Sequence, residues 1–298
     1  MRRPPSPPRQ AAGLLLVLYS ALGFGLLPIF ALLAYRGGIN VLTLLAVRFV
    51  LSGVALAAFL LAVRRLMLRQ AASVLPGLLG LGVCYTLQSG FYFSAVRYIT
   101  ASLASILLYS YPALVCLLAL LVEKERLAPR TLLALAVSLA GVVLVLGSSL
   151  GAAHPAGMLL ALGAAAVYSI YITLANRVLR SVEPAVAITM ISLITSVLYI
   201  GLGLALRRLS FAFAPSTWLP IALLIGVSTL LAIFAFFRGI EILGSSRASI
   251  VSMTEPLFTI GFSIALFGDL LGWQQIVGGV LVLGGTVLVT ASRSRVRS

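Results

Sequence analysis

Acidic side chains are scarce in this chain. Asp and Glu number six against 21 Lys and Arg, and charged residues of both signs make up 9% of 298. A soluble domain averages about 25% charged residues, so this composition cannot clothe a water-exposed surface. Histidine occurs once, at His154, and cysteine twice, at Cys84 and Cys116. The cysteines lie in separate apolar runs without metal-ligand spacing and read as small buried hydrophobes, so neither a metal site nor a cofactor is expected. His154 sits in a Gly/Ala/Pro turn and reads as incidental. Also missing are His-Glu-x-x-His, Gly-x-Ser-x-Gly, a spaced acidic pair and a Walker-type glycine loop. Their absence argues against an enzyme and against an ATP-driven pump within the chain.

What is present is apolar: 61% of residues are hydrophobic, and the mean hydropathy is +1.17. A membrane-spanning helix needs ~20 apolar residues, and ten of them consume roughly two thirds of this length. Apolar runs occupy about 11–35, 40–63, 73–96, 100–122 and 131–148, then 156–178, 185–206, 217–238, 246–267 and 273–291. The expected fold is an all-α integral membrane protein of ten transmembrane helices. Residues 1–10 form an Arg/Pro-rich tail that its prolines should keep from being helical, and 292–298 a basic tail. Arg2-Arg3 resembles a twin-Arg signal, but the prolines after it do not suit one. The net charge of +15 invites a nucleic-acid reading. The arginines stand in ones, twos and threes between apolar runs rather than on a basic patch, so no nucleic acid is expected.

The two halves repeat. Residues 102–112 read Ser-Leu-Ala-Ser-Ile-Leu-Leu-Tyr-Ser-Tyr-Pro, and 246–256 read Ser-Arg-Ala-Ser-Ile-Val-Ser-Met-Thr-Glu-Pro, an offset of 144. The same ungapped offset carries Gly13 onto Gly157, Leu127 onto Leu271 and Gly141 onto Gly285. Residues 11–148 and 156–291 therefore read as two copies of a five-helix unit. Counting Lys and Arg over alternate loops, with the N-terminus inside, gives sixteen inner residues against four outer ones. That bias puts both termini in the cytoplasm. Five being odd, the second unit enters the membrane inverted.

At this point a resemblance is carried by particular residues. Ile99-Thr100-Ala101-Ser102-Leu103-Ala104-Ser105, Tyr111-Pro112, Glu123-Lys124-Glu125-Arg126-Leu127 and Gly141-Val142-Val143 resemble the first-half signature of the EamA family, in the drug/metabolite transporter superfamily. Ala248-Ser249-Ile250, Thr254-Glu255-Pro256 and Gly284-Gly285 are similar to its second half, with Gly268-Asp269 standing where the family usually has Gly-Glu. The resemblance implies ten spans in a 5+5 inverted repeat in the cytoplasmic membrane, and export of small metabolites.

Within the spans, polar residues mark where a solute would sit. Pro112 and Pro256 lie mid-helix in equivalent spans and free the carbonyls of Leu108 and Ser252, so they read as hinges or as kinks that serve packing, with their recurrence in both halves favouring hinges. Ser105, Ser249, Ser252 and Thr254 are placed to supply hydroxyls to such groups. Glu255, beside Pro256, has three competing roles: proton-coupling group, contact for a substrate amine, or structural partner of an arginine. Arg48 is the arginine at hand, and a structural Arg48–Glu255 pair is the default expectation, with a grip on a substrate carboxylate as the alternative. Tyr85, Gln88 and Tyr92 share one helix face, Ser102, Ser105 and Tyr109 another, and Tyr168 and Tyr171 a third. With Tyr111, the repeat counterpart of Glu255, they are candidate cavity-lining residues. Tyr35, Tyr98 and Tyr199, near span ends, read as an interfacial belt. The Glu123–Arg130 charge cluster reads as a helix-end anchor or a cytoplasmic gate.

The expectation is a secondary transporter that moves a small amino acid-like or drug-like solute by alternating access, as monomer or homodimer. An intramembrane enzyme and an uncoupled channel are the alternatives.

Overall fold

The computed structural model describes residues 7–63, 74–121, 129–149, 151, 153–179 and 181–296. The Glu123–Arg126 charges, Arg2, Arg3, Arg64, Arg65, Arg69, Arg180 and Arg297 of the charge count lie outside the described residues. All regular structure among the described residues is helical: α1 (Pro7–Gly25), α2 (Leu27–Arg36), α3 (Val41–Ala62), α4 (Leu75–Ala95), α5 (Ala101–Leu108), α6 (Tyr111–Leu121) and α7 (Pro129–Ser149) come first. Then follow α8 (Pro155–Val178), α9 (Pro184–Ala205), α10 (Trp218–Ile225), α11 (Ala232–Leu243), α12 (Ser245–Ser252), α13 (Glu255–Phe267) and α14 (Trp273–Val296). A π-helical turn, Gly226–Leu231, joins α10 to α11.

Among the described residues, eight helical stretches are long and apolar enough to cross a membrane. The 21-residue α4 is long enough, but Tyr85, Thr86, Gln88, Ser89 and Tyr92 lower its hydropathy below the others. In α14 the apolar stretch covers Trp273–Leu288. Two boundaries differ from expectation. The first helix starts at Pro7, because prolines in a first turn remove N–H groups that have no intrahelical acceptor. The last helix runs on to Val296 rather than ending near 291.

The offset of 144 that relates the two halves also relates their helix boundaries and contacts. Ala101–Leu108 maps onto Ser245–Ser252, Tyr111 onto Glu255, and Pro129 onto Trp273, each the start or span of an equivalent helix. α3 packs on its own counterpart α9, and α7 on its counterpart α14; α4 packs on α8 as α11 packs on α1. The match extends to single residues. A methyl at Gly157 would come within 2.7 Å of Ile99 and 2.8 Å of Tyr98. One at Gly13 would come within 2.7 Å of Ile242 and 2.9 Å of Leu243, the counterparts of Tyr98 and Ile99. Across the α7–α14 crossing, a methyl at Gly141 would sit 2.6 Å from the Gly278 carbonyl, and one at Gly285 2.8 Å from that of Ala134. These glycines let backbones approach where lipid supplies no hydrophobic drive for helix association.

Candidate functional site

Both proline-bearing spans are broken, not merely bent. In the first half two turn residues, Tyr109 and Ser110, separate α5 from α6; in the second, Met253 and Thr254 separate α12 from α13. Carbonyls exposed by a break in an apolar environment need donors. Ser110 Oγ donates to the Leu107 carbonyl at 2.7 Å, and its counterpart Thr254 Oγ1 to that of Val251 at 2.8 Å. Ser252 Oγ donates to the Ser249 carbonyl at 2.9 Å. The Thr254 and Ser252 hydroxyls thus bond the Val251 and Ser249 carbonyls rather than that of Ser252, and in the first half Ser110, which sequence reasoning passed over, bonds the Leu107 carbonyl rather than that of Leu108. The Tyr109 carbonyl also accepts from Thr286 Oγ1 of α14 at 3.1 Å. Val142 is the counterpart of Thr286 and has no hydroxyl, so that support is one-sided.

The break in the second half delivers Glu255 to the first turn of α13, at a helix N-terminus where negative charge is favoured. Its carboxyl faces the Tyr109 hydroxyl. Tyr92, Tyr111 and Tyr168 stand around it, with Ser105 beside Tyr92. α1 closes the back of the turn: Thr259 Oγ1 donates to the Gly25 carbonyl at 2.9 Å, and a methyl at Gly25 would come within 2.8 Å of the Glu255 carbonyl.

Arg48 is 3% exposed and does not pair with Glu255. Its Nε donates to Thr229 Oγ1 at 3.3 Å, and its guanidinium lies 4.9 Å from the Phe49 ring centroid and 5.1 Å from that of Phe93. Tyr85, Tyr199 and Tyr35 lie near it. Thr229 reaches Arg48 from the π turn, its hydroxyl donating to the Leu224 carbonyl five residues back at 3.0 Å. A π turn adds one residue to the helix and re-aims its side chains. Thr229 is the repeat counterpart of Tyr85, a relation legible in the sequence, so the two halves grip Arg48 with equivalent positions. The expected structural Arg48–Glu255 pair is replaced by a neutral cage around the arginine.

A row of rings connects the two charges. Phe49 meets Tyr85 edge-on at 5.6 Å, Tyr85 meets Tyr171 at 5.6 Å, and Tyr171 stacks on Tyr168 at 5.7 Å with 13° between planes. Tyr168 meets Tyr111 at 4.6 Å, and Tyr111 meets Tyr109 at 5.9 Å, where Glu255 begins. Gln88 is buried on the α4 face that carries Tyr85 and Tyr92. Ser249 is partly buried on the turn before Ser252. Pro112 and Pro256 are buried immediately past the breaks.

Two expected belt tyrosines are interior instead. Tyr199 is 2% exposed, stacks on Phe49 at 5.7 Å, and donates to the Thr86 carbonyl at 2.6 Å. Tyr35 donates to the Phe93 carbonyl at 3.0 Å. A span-end position does not fix which way a ring points; a buried carbonyl acceptor does. Tyr98 remains exposed, beside the His154 ring at 5.0 Å. His154 caps α8, its Nδ1 accepting from the Ala156 N–H at 3.2 Å. Cys116 is buried, whereas Cys84 is only partly so.

At the end of the bundle where α2 ends and α5 begins, a cavity of about 620 Å³ opens between Tyr35, Arg36, Arg97, Leu103, Phe267 and Asp269. Asp269 Oδ2 accepts from Ser102 Oγ of α5 at 3.0 Å and from Ser263 Oγ of α13. One carboxylate oxygen therefore ties the two broken spans together there.

Comparison with known proteins agrees with this architecture. Relatives include a protein of Archaeoglobus fulgidus named as an uncharacterized transporter, 29% identical over 213 residues, which are 71% of this chain and 75% of that protein. YcbK of Bacillus subtilis, named likewise, is 25% identical over 209 residues, 67% of each chain. A crystal structure at 23% identity shares the fold with a TM-score of 0.66, covering 97% of this chain and 99% of the other. A model of the EamA-like transporter family matches residues 11–147 and again 155–291, and the chain, a multi-pass membrane protein built as two repeats, belongs to that family.

Proposed function

We propose that the chain is a ten-span secondary transporter, with two inverted five-helix units and both termini in the cytoplasm, that exports a small organic solute across the cytoplasmic membrane. The observation that carries the reading is the row of tyrosines running from Arg48 to Glu255 beside the two broken helices. Neither charge neutralises the other, and each is held by neutral donors, acceptors and rings. Arg48 suits a carboxylate, which it can meet with two parallel N–H donors. Glu255 suits an ammonium group, and the rings between them suit a flat apolar body. The solute that fits carries its carboxylate and its ammonium group at opposite ends of an apolar body, as the row of rings separates the two protein groups. Equivalent contacts in both halves support alternating access, since two halves with the same contacts can exchange roles around a fixed site.

Glu255 also suits a proton: a carboxylate among tyrosine hydroxyls can alternate between proton and ammonium. Reconstituted counterflow with pooled amino acids, nucleobases and vitamins, with and without an inward pH gradient, tests both parts. Saturable exchange of zwitterions that needs the gradient in wild type and not in Glu255→Gln is the expected result. Exchange indifferent to the gradient and to the substitution returns Glu255 to a structural role, and ion conductance without saturable exchange overturns the carrier reading.

A further inference from the structure

A second cavity, of about 630 Å³, lies on the flank of the bundle between the starts of α3 and α8, the second half of α4 and the end of α9. Its walls are Leu42, Leu87, Phe91, Leu160 and Leu202, and its mouth carries Arg97 and Arg208. Leu87 is 47% exposed and Leu202 44%, so the cleft opens sideways to the bilayer rather than toward the bundle axis. Along α4 it follows Leu87, Gly90, Phe91 and Ser94 at helical spacing, and Arg97 stands in the turn two residues past the helix end. From Leu87 to Ser94 the helix rises about 10 Å, against ~15 Å for half of a hydrocarbon core. The cleft thus reaches through much of one leaflet, apolar below and cationic at its rim.

The rim is built. Arg207 takes a left-handed backbone conformation with φ of 51°, unusual for a residue with a side chain. That turn brings the Arg208 N–H onto the Gly203 carbonyl at 2.9 Å, and Asn40 Nδ2 donates to the Arg208 carbonyl at 2.9 Å. The Arg208 backbone is held on both sides while its side chain stays exposed. Among the described residues no carboxylate pairs with Arg97 or Arg208. Apolar walls under two guanidinium groups that no carboxylate pairs, Arg97 lying 5.8 Å from the Tyr35 ring centroid, match one chemistry: an acyl chain below an anionic phosphate headgroup. We propose that this cleft holds an anionic phospholipid, its chain along Leu87 and Phe91 and its phosphate at Arg97 and Arg208.

The test uses the full chain in mixed vesicles, with Leu87→Trp in a Trp218→Phe/Trp273→Phe background as the sole tryptophan reporter and acyl-brominated lipids as quenchers. Brominated phosphatidylglycerol is expected to quench with about tenfold preference over brominated phosphatidylcholine, two arginines near a surface sufficing for that ratio. In the Arg97→Ala/Arg208→Ala background the preference falls to near unity, whereas in an Arg238→Ala control it stays. Equal quenching by both lipids in the Leu87→Trp reporter overturns the proposal, as does a preference that survives the double substitution. Displacement of the brominated lipid by inorganic phosphate alone assigns the rim to free anions and also overturns it. Loss of all quenching upon self-association, read by cross-linking, makes the cleft an interface between two copies and overturns it too.

Discussion

Arg48 and Glu255 stand at the two ends of one row of aromatic rings, and no ion pair joins them. A buried ion pair loses several kcal/mol when one partner is removed, because the other is left uncompensated. Here each charge has its own neutral surroundings, and removing one leaves the other's contacts unchanged. Arg48→Gln and Glu255→Gln are therefore expected to be additive in stability, with a coupling energy below about 0.5 kcal/mol in a double-mutant cycle. Each alone is expected to lower zwitterion counterflow about tenfold or more, the loss of one hydrogen bond to a charged group. Exchanging the two residues restores nothing. Recovery of transport by the exchanged pair sinks the separation.

Asp269 joins the first-half helix α5 to the second-half helix α13 through Ser102 and Ser263. Asp269→Ala removes the one oxygen that accepts both hydrogen bonds and leaves two hydroxyls without their partner. This end of the bundle is expected to open more often. A cysteine placed at Leu103, on the wall of the cavity there, should then react with a membrane-impermeant maleimide several-fold faster. Each hydrogen bond to the carboxylate contributes about 1.5–3 kcal/mol, enough for such a shift. Unchanged labelling rates in Asp269→Ala count against a closing role.

The break between α5 and α6 is anchored by Thr286 on α14, while the break between α12 and α13 has Val142 at the equivalent place. Thr286→Val leaves the Tyr109 carbonyl without that donor at a cost of about 1–3 kcal/mol. Thermal unfolding of the purified protein should shift down accordingly, and hydrogen exchange around 107–114 should quicken. Val142→Thr on the other side should leave exchange at 107–114 unaltered. Equal effects of both substitutions on that segment contradict the one-sided anchoring.

Much of this was legible in the residues themselves. The repeat of Ser102–Pro112 in Ser246–Pro256 located both breaks, because a proline and its flanking hydroxyls are local features of the chain. Spacing placed Tyr168 with Tyr171 on one face for the same reason. What sequence alone could not carry was partnership across helices. Arg48 and Glu255 were opposite charges at similar depth, and pairing them was the economical expectation. A π turn in another span set Thr229 against the arginine instead, and no local pattern announces such a turn. Tyr199 sits near a span end like a belt residue, yet the Thr86 carbonyl draws its hydroxyl inward.

The tyrosine row makes the last prediction, because its rings and its hydroxyls can be removed separately. Tyr168 is stacked on Tyr171 and edge-on to Tyr111, so its ring holds the middle of the row. Each aromatic contact contributes about 0.5–1.5 kcal/mol beyond the area it buries. Tyr168→Phe keeps both contacts, and Tyr168→Ala loses them. With an aromatic zwitterion as solute, Tyr168→Phe should leave KM within about twofold, while Tyr168→Ala raises it about two- to tenfold, the loss of one ring–solute contact. With a small aliphatic zwitterion the alanine variant should raise KM far less, since such a solute spans fewer rings. An equal penalty for both solutes makes Tyr168 a packing residue, and the flat body would then have to lie elsewhere than along this row.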